Sequence, residues 1–316
     1  MNDRKQKLIV ITGPTATGKS GLAIELALEL GGEILSADSM QVYKGMDIGT
    51  AKTPFDERKG VPHHLLDVVD PDEEFNASIF RSLSLPLLAE IQSRGNVGLV
   101  VGGTGLYIKV LLGGLLYCPS PDPDLKSELK SLCDQEGSQF LHGQLQMLDP
   151  ESAEKIHPND SIRIIRALEI IQSANDRLSS IRRQHAFKDK PFDVMKICLN
   201  MKREDLYDRI NKRCLHMVEN GLVEEVEGLL EKGYASHLRP MQSIGYRHVS
   251  HFLEGTWDLE KTISQLKVDT RRYAKRQLTW FRADPEMIWL GPEAQIEVHD
   301  KIRAFLGEEQ KIPLEQ

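Results

Sequence analysis

The sequence has 316 residues, of which 40% are hydrophobic and 28% charged, with a formal net charge of −7, and this fits one large α/β domain or a core domain with an insertion. The acidic balance argues against a generally basic nucleic-acid binder, and no stretch reaches the roughly 18 apolar residues that a membrane span needs. We expect neither a signal peptide before the first strand nor a zinc site among the scattered cysteines, whose pattern is typical of the reducing cytoplasm.

The strongest motif follows the first predicted strand, the apolar run 8–11. Residues 13–20 read GPTATGKS and match the phosphate-binding loop G-x-x-x-x-G-K-[ST], and an amphipathic helix follows. Backbone N–H groups and the helix N-terminus would bind an anion, Lys19 would add charge, and Ser20 would offer a hydroxyl to Mg²⁺. The loop suits a nucleotide's phosphates or any other diphosphate. The expected contacts are Gly13, Pro14, Thr15, Ala16, Thr17, Gly18, Lys19 and Ser20.

A second predicted strand, 33–38, ends at an acidic residue. Parallel sheets bind ligands at the carboxyl ends of their strands, so Asp38 should lie near the phosphate loop. The polar, glycine-punctuated segment 39–52 is either a substrate surface or a plain connecting loop. A further strand is predicted over 62–69. Its paired histidines would point to opposite faces, which favours hydrogen-bonded structural histidines over a metal site.

The next predicted elements are a helix over 75–94, kinked or interrupted near Pro86, and a strand over 97–101. Glycines and Thr104 follow this strand. Many phosphate-loop hydrolases and kinases place a metal-holding acid there, so its absence argues against ordinary ATP hydrolysis. The proline-dense segment 118–123 predicts a domain boundary.

Successive helices are predicted over 125–173. Asn159 or Asp160 would cap one of them, which carries Arg163 and Arg166 on one face. This block is typical of a helical insertion with a cationic side.

Strand character returns at 194–199, and helices interrupted by a glycine near residue 245 follow. The run 271–282 has five cations, no acid and interleaved aromatic residues. That composition suits phosphate contact and base stacking, or else a solvated helix face with a buried edge formed by Trp280 and Phe281. A short strand at 287–290 and a helix should complete the chain.

Several motifs, taken together and in order, resemble the bacterial tRNA dimethylallyltransferases, also called tRNA isopentenyltransferases. They extend from about Leu8 to Phe281 and read GPTATGKS, DSMQVYKGMDIGTAK, PHHLLD, VGGTGLY, NDSIRIIRALE, QSIGYR and RRYAKRQLTWFR. The resemblance implies an α/β fold, a P-loop NTPase-like parallel-sheet core with a helical insertion domain. We expect 1–117 and 197–316 to form the core and 118–196 to close on the anticodon stem-loop.

The resemblance implies transfer of a dimethylallyl group from dimethylallyl diphosphate to N6 of adenosine-37, beside the anticodon, in tRNAs that read codons beginning with U. The phosphate loop would then bind the diphosphate of the prenyl donor together with Mg²⁺, and it would not bind ATP. The implied partners are dimethylallyl diphosphate and the tRNA anticodon stem-loop. We expect a cytoplasmic monomer without membrane contact.

The resemblance also implies roles for single residues. Asp38 occupies the general-base position, while Lys19 and Arg213, or else Arg209 in place of Arg213, act on the diphosphate. The residues implied to contact tRNA are Asp38, Ser39, Met40, Gln41, Thr104, Lys126, Ile162, Arg163, Arg166, Gln242, Ser243, Ile244, Gly245, Tyr246, Arg247, Arg271, Arg272 and Arg276. The sequence departs from many relatives at Ser161 and Ile162, where they have proline and glutamine. We also expect no C-terminal Cys/His zinc finger of the kind that eukaryotic relatives have.

Three alternatives remain at this point. An adenylate dimethylallyltransferase would share the phosphate loop and Asp38 but would have less use for an arginine-bearing insertion. A phosphate-loop kinase for small molecules would need an acid after the strand at 97–101. A non-catalytic RNA-binding protein would not need the set Lys19, Ser20 and Asp38, which is intact here.

Overall fold

The structure is a computed structural model that describes residues 5–115, 122–185, 189–291 and 293–307. Within these ranges the chain forms two compact units. One contains the described residues up to Leu112 and from Lys190 onward, and the other spans Gly113–Asp189. Most of the proline-dense segment 118–123, where a boundary was predicted, lies outside the described residues.

The first part of the core unit alternates strands and helices, as its sequence pattern predicts. Its elements are β1 (Gln6–Thr12), α1 (Lys19–Leu30), β2 (Gly32–Ser36), β3 (His63–His64), α2 (Ala77–Ser93), β4 (Val97–Val101) and α3 (Gly105–Gly113). Helix α2 continues through Pro86 without interruption, since residues on both sides of the proline stay helical. The strand predicted over 62–69 is confined to β3, because Leu65 and Asp67 adopt left-handed backbone conformations that end it.

The remaining part of the core unit is mostly helical. Its elements are β5 (Phe192–Leu199), α9 (Arg203–Glu219), α10 (Leu222–Glu231), α11 (Tyr246–Leu253), α12 (Leu259–Arg282), β6 (Ile288–Leu290) and α13 (Gln295–Leu306). The Asp258 carboxylate caps α12 by accepting a hydrogen bond from the Lys261 N–H at 2.7 Å. The basic run 271–282 therefore forms the last half of one long, capped helix.

The six strands form one parallel sheet in the order β3-β2-β4-β1-β5-β6. Strand β1 lies between β4 and β5, with Ile9 opposite Leu99 on one side and Met195 on the other. Its apolar residues alternate between the two hydrophobic cores, because successive side chains of a strand point to opposite faces. A sheet buried on both faces explains the continuous apolar run at 8–11.

The described residues of the second unit form five helices with their own hydrophobic core. They are α4 (Pro123–Glu136), α5 (Ser138–Leu148), α6 (Pro150–Lys155), α7 (Ser161–Ala174) and α8 (Leu178–His185). Asp160, rather than Asn159, caps α7 by accepting from the Arg163 N–H at 3.2 Å. The expected insertion of 118–196 ends inside β5, whose pairing with β1 starts at Phe192, so residues 192–196 belong to the sheet.

No helix within the described ranges combines the length and apolar character that crossing a bilayer requires.

Candidate active site

A cavity of about 360 Å³ opens at the carboxyl ends of β1, β2 and β4, where ligands of parallel sheets bind. The phosphate loop, the turn after β2 and the glycines after β4 form one part of it. Helices α9 and α12 form another part. Among its lining residues are Thr15, Lys19, Ser20, Asp38, Ser39, Met40, Gln41, Gly103, Arg213, Ser243, Ile244, Arg247, Tyr273 and Gln277.

The phosphate loop is closely packed against the sheet. Gly13 has φ 139°, and a Cβ at this position would lie 2.4 Å from the carbonyl oxygen of Leu199, so only glycine fits. The Thr17 hydroxyl donates to the Pro14 carbonyl at 2.9 Å, and the Lys19 ammonium donates to the same oxygen at 2.7 Å. These contacts fold the lysine back over the loop.

The surroundings of Lys19 disfavour its charged form in the free protein. Burial lowers its pKa from 10.5 to about 8, the charge of Arg213 adds to this effect, and the charge of Asp38 opposes it. Burial also lowers the pKa of Arg213, again against the charge of Asp38. The cavity therefore holds two desolvated cations that an anionic ligand would stabilise.

The structure distinguishes Arg213 from Arg209, which the sequence offered as alternatives. Arg213 lines the cavity and acts electrostatically on Lys19. Arg209, one turn earlier on α9, instead lines a separate surface depression with Lys202 and Lys212. Of the two arginines, the geometry brings Arg213 to the phosphate loop.

Asp38 follows the end of β2 by two residues, in a turn held by hydrogen bonds. One of its carboxylate oxygens accepts from the Met40 N–H at 2.8 Å. The Thr104 hydroxyl oxygen accepts from the Ser39 N–H at 3.0 Å, and the same hydroxyl donates to the Ser39 hydroxyl oxygen at 3.3 Å. Asp38 and Thr104, predicted from separate motifs, thus lie in one network at the carboxyl ends of β2 and β4.

Gln277 is a cavity residue that the sequence analysis did not single out. Its side chain is nearly buried, accepts from the Thr15 N–H at 2.9 Å and donates to the Gly103 carbonyl at 3.0 Å. A Cβ on Gly103 would lie 2.1 Å from the Gln277 amide nitrogen. The available signal was the spacing of Leu266, Thr270, Tyr273 and Gln277, which places these residues on one face of α12.

The cations of α12 have different surroundings. Arg271 donates to the Asn211 side chain at 2.8 Å and lies over the Tyr207 ring. Arg272 is exposed and pairs with Asp269 at 3.2 Å, and Arg276 is exposed beside Tyr273. The helix therefore turns an uncharged face to the cavity and presents these two arginines to solvent.

The aromatic pair at the end of α12 divides between core and surface. Phe281 is buried, whereas Trp280 is 41% exposed and packs against Gly105. The buried edge expected for a solvated helix face is therefore formed by Phe281 and only partly by Trp280.

The segment 242–247 contributes unequally to the cavity. Ser243, Ile244 and Arg247 line it, and Arg247 pairs with Asp269 at 2.6 Å. Tyr246, which the resemblance implied to contact tRNA, is fully buried and donates its hydroxyl to Glu225. The prediction of an RNA contact is wrong for Tyr246 in this arrangement, because its ring fills the core at the start of α11.

Four other predicted tRNA contacts belong to the helical unit. Lys126 is exposed on α4, while Ile162 and Arg163 are exposed in the first turn of α7. Arg166 pairs with the buried Glu169 at 2.9 Å. The exposed residues offer a surface for a partner, and Arg166 also stabilises its own helix.

The paired histidines are hydrogen-bonded, as predicted. His63 lines the cavity and contacts the Val61 carbonyl at 2.8 Å, while His64 contacts Glu33 at 2.7 Å. In the described part of the chain, no group of three or more His, Cys, Asp or Glu side chains is placed to hold a metal ion.

The parallel sheet, its phosphate loop and a cavity that brings Asp38 together with Lys19 and Arg213 define a phosphate-loop α/β protein. The IPP transferase family model matches residues 41–284, and the isopentenyl transferase model matches 6–67. The tRNA dimethylallyltransferase of Desulfosudis oleivorans is 48% identical over 293 residues, which are 93% of each chain.

Solved structures agree with this match. The full-length tRNA isopentenylpyrophosphate transferase of Bacillus halodurans is 42% identical with a TM-score of 0.72, covering 96% of this chain and 98% of that one. A eukaryotic dimethylallyltransferase acting on tRNA is 30% identical with a TM-score of 0.82, covering 98% and 81%. The chain belongs to the tRNA dimethylallyltransferase family, which confirms the family predicted from its motifs.

Proposed function

We propose that this protein transfers a dimethylallyl group from dimethylallyl diphosphate to N6 of adenosine-37 in tRNAs that read codons beginning with U. The names of the relatives support the tRNA substrate and the prenyl group. The observation that carries the proposal is a single cavity in which Asp38 lies with the phosphate loop, Lys19 and Arg213. Such a cavity suits a diphosphate donor and a nucleophile that must lose a proton.

The phosphate-loop side of the cavity would stabilise the leaving diphosphate. As the bond between the allylic carbon and oxygen breaks, negative charge grows on the diphosphate, and preorganised donors stabilise it most effectively there. The N–H groups of the loop, the Lys19 ammonium and the Arg213 guanidinium are the donors this chain supplies. These groups would hold the diphosphate while its negative charge grows.

Mg²⁺ would add charge to the diphosphate oxygens when bound. Ser20, exposed at the start of α1 and lining the cavity, is the proposed protein ligand. The lack of an acidic cluster in the described residues fits an ion that binds mainly through phosphate oxygens and water, as Mg²⁺ often does.

Asp38 is the proposed general base. The adenine amine is a weak nucleophile because its lone pair is delocalised into the ring, so a carboxylate that orients it and takes its proton lowers the barrier. The Met40 N–H holds one carboxylate oxygen of Asp38, and the other oxygen is the proposed proton acceptor. The new bond joins N6 to the allylic carbon, the proton moves to Asp38, and diphosphate leaves.

The target base must leave the anticodon-loop stack to reach Asp38. We propose that the turn at 38–41 and Thr104 hold the flipped base, and that residues of the segment 242–247 other than the buried Tyr246 contact neighbouring nucleotides. The helical unit, expected as 118–196, would close on the anticodon stem-loop, and Arg271, Arg272 and Arg276 would contact its phosphates. We also propose that the protein is a monomer located in the cytoplasm.

The test is a transfer assay with Mg²⁺, radiolabelled dimethylallyl diphosphate, and either an anticodon stem-loop RNA or free AMP. We expect label on the stem-loop and none on AMP, with loss of label when the target adenosine is replaced. Label on AMP alone would favour an adenylate dimethylallyltransferase. ATP turnover without any prenyl transfer would mean that the loop binds a nucleotide and that the proposed function is wrong.

A further inference from the structure

The loop at 39–52 forms one wall of the cavity. Thr50 and Ala51 line the cavity from this loop. The Gln41 side chain donates to their carbonyl oxygens at 3.2 and 3.4 Å, which folds the end of the loop back onto the turn after β2. The position of the loop therefore sets the shape of the cavity beside Asp38.

A single carboxylate holds the middle of this wall. Glu225 on α10 accepts hydrogen bonds from the backbone N–H groups of Asp47, Ile48 and Gly49 at 2.9, 2.7 and 3.0 Å. Consecutive N–H groups that converge on one anion form a nest, and hydrogen bonds to a charged acceptor are among the strong ones. The position of this part of the loop thus depends on a helix distant in sequence.

Tyr246 supplies a fourth hydrogen bond to the same carboxylate. Its hydroxyl donates to Glu225 at 2.5 Å, and its ring is fully buried. The ring also packs on Gly49, where an added Cβ would lie 2.5 Å from a ring carbon. Burial and the charge of Glu225 raise the pKa of Tyr246, so the hydroxyl remains a donor at neutral pH.

These contacts connect two segments that the proposed function assigns to tRNA. Tyr246 begins α11 two residues after the cavity residue Ile244, and Gln41 belongs to the turn proposed to hold the flipped base. We infer that Glu225 and Tyr246 form a clamp that positions the cavity wall at residues 47–51 for the target adenosine. This inference rests on the proposed function.

Both residues of the clamp are positioning residues, since neither lines the cavity and each acts through the loop. The phosphate loop is held elsewhere, by the hydrogen bond from the Thr15 N–H to Gln277 and by the close packing of Gly13 against Leu199. Loss of the clamp should therefore affect the RNA substrate and leave donor binding nearly unchanged.

The test compares the steady-state kinetics of Glu225→Gln and Tyr246→Phe with stem-loop RNA and with the donor. Glutamine keeps the shape but removes the charge, and phenylalanine keeps the buried ring but removes the hydroxyl. We expect KM for RNA to rise roughly 3- to 30-fold and KM for the donor to change less than about twofold. Glu224→Gln, at the exposed neighbouring position on α10, is the matched control and should behave as wild type.

A second readout does not depend on activity. Hydrogen exchange of the amides of residues 47–49, followed by mass spectrometry, should accelerate in Glu225→Gln and not in Glu224→Gln. Unchanged exchange would overturn the clamp. An equal rise of both KM values, or wild-type kinetics in both variants at an unchanged Tm, would overturn its positioning role. Wild-type protein that modifies no RNA would instead overturn the proposed function, and exchange would still decide whether the carboxylate holds the loop.

Discussion

The side chain of Gln277 accepts a hydrogen bond from the backbone N–H of Thr15 at 2.9 Å, although 262 positions separate the two residues. The same amide donates to the Gly103 carbonyl, so α12 is tied both to the phosphate loop and to the end of β4. Another side of this helix presents Arg272 and Arg276 to solvent. One helix thus supports the proposed donor site with one face and offers cations to RNA with another.

Replacement of Gln277 by leucine should weaken donor binding. Leucine has a similar size but leaves the Thr15 N–H without its acceptor, a loss of about 1–3 kcal/mol, which corresponds to roughly 5- to 150-fold in affinity if it is expressed fully in donor binding. Binding of an unreactive thiolo-diphosphate analogue, measured by calorimetry, gives the change directly. Thr279→Ala, an exposed position on the same helix, should leave affinity unchanged. Wild-type affinity in Gln277→Leu would show that the hydrogen bond does not order the loop.

Asp38→Asn should separate RNA binding from turnover. Asparagine can still accept from the Met40 N–H and preserve the turn, but it cannot take a proton from N6. We expect kcat to fall by roughly 10²- to 10⁴-fold, the range of general-base catalysis, while the Kd for stem-loop RNA changes only a few-fold. Single-turnover rates and filter binding measure the two quantities. Full turnover in this variant would contradict the general-base role.

Local patterns in the sequence predicted much of the fold. The apolar run before the phosphate loop became β1, and the loop opened α1 as its motif requires. The strand predicted over 62–69 is too long, because left-handed backbone conformations at Leu65 and Asp67 end it early. The identities of these two residues do not predict such conformations. Strand and helix types were thus predictable, while this boundary was not.

The candidate site was predictable where a residue belongs to a short motif. Lys19, Asp38 and Thr104 could be found in this way. The contacts of Glu225 with the loop at 47–49 and those of Gln277 could not, because they join residues more than 170 positions apart and no spacing rule covers them. A family motif identifies a position but does not show whether its side chain points to the surface or to the core. For this reason Tyr246 was predicted to contact RNA although its side chain lies in the core.

The exposed arginines of α12 should determine part of the salt dependence of RNA binding. Each lost phosphate contact reduces the slope of log K against log salt by roughly 0.7–0.9. Arg272→Ala with Arg276→Ala should therefore lower the slope by about 1–2 and leave donor affinity unchanged. Lys301→Ala, a cation on α13, is the control for net charge. An unchanged slope would indicate that these arginines belong to a solvated helix face and do not contact phosphate.

Arg271 should behave differently from its two neighbours in the same assay. Its hydrogen bond to Asn211 and its contact with Tyr207 join α12 to α9, so Arg271→Ala should lower the Tm as well as RNA affinity. The cost should be about 1–2 kcal/mol of unfolding free energy, since a partly buried partner is left behind. Thermal unfolding of the three single variants would show whether Arg271 alone contributes to stability.

Donor affinity should fall as pH rises through about 8, because burial and Arg213 lower the pKa of Lys19 to that value in the free protein. Between about pH 7 and 8 the lysine is already largely charged and the diphosphate is fully ionised, so affinity should change little with pH. Above it, binding must take up a proton, so Kd should rise by up to about tenfold per pH unit until the higher pKa of the complex is passed. Calorimetry with the thiolo-diphosphate analogue in two buffers of different ionisation enthalpy measures both Kd and proton uptake. Lys19→Arg stays charged throughout and should give a flatter profile with no uptake, whereas a flat wild-type profile would contradict contact between Lys19 and the diphosphate.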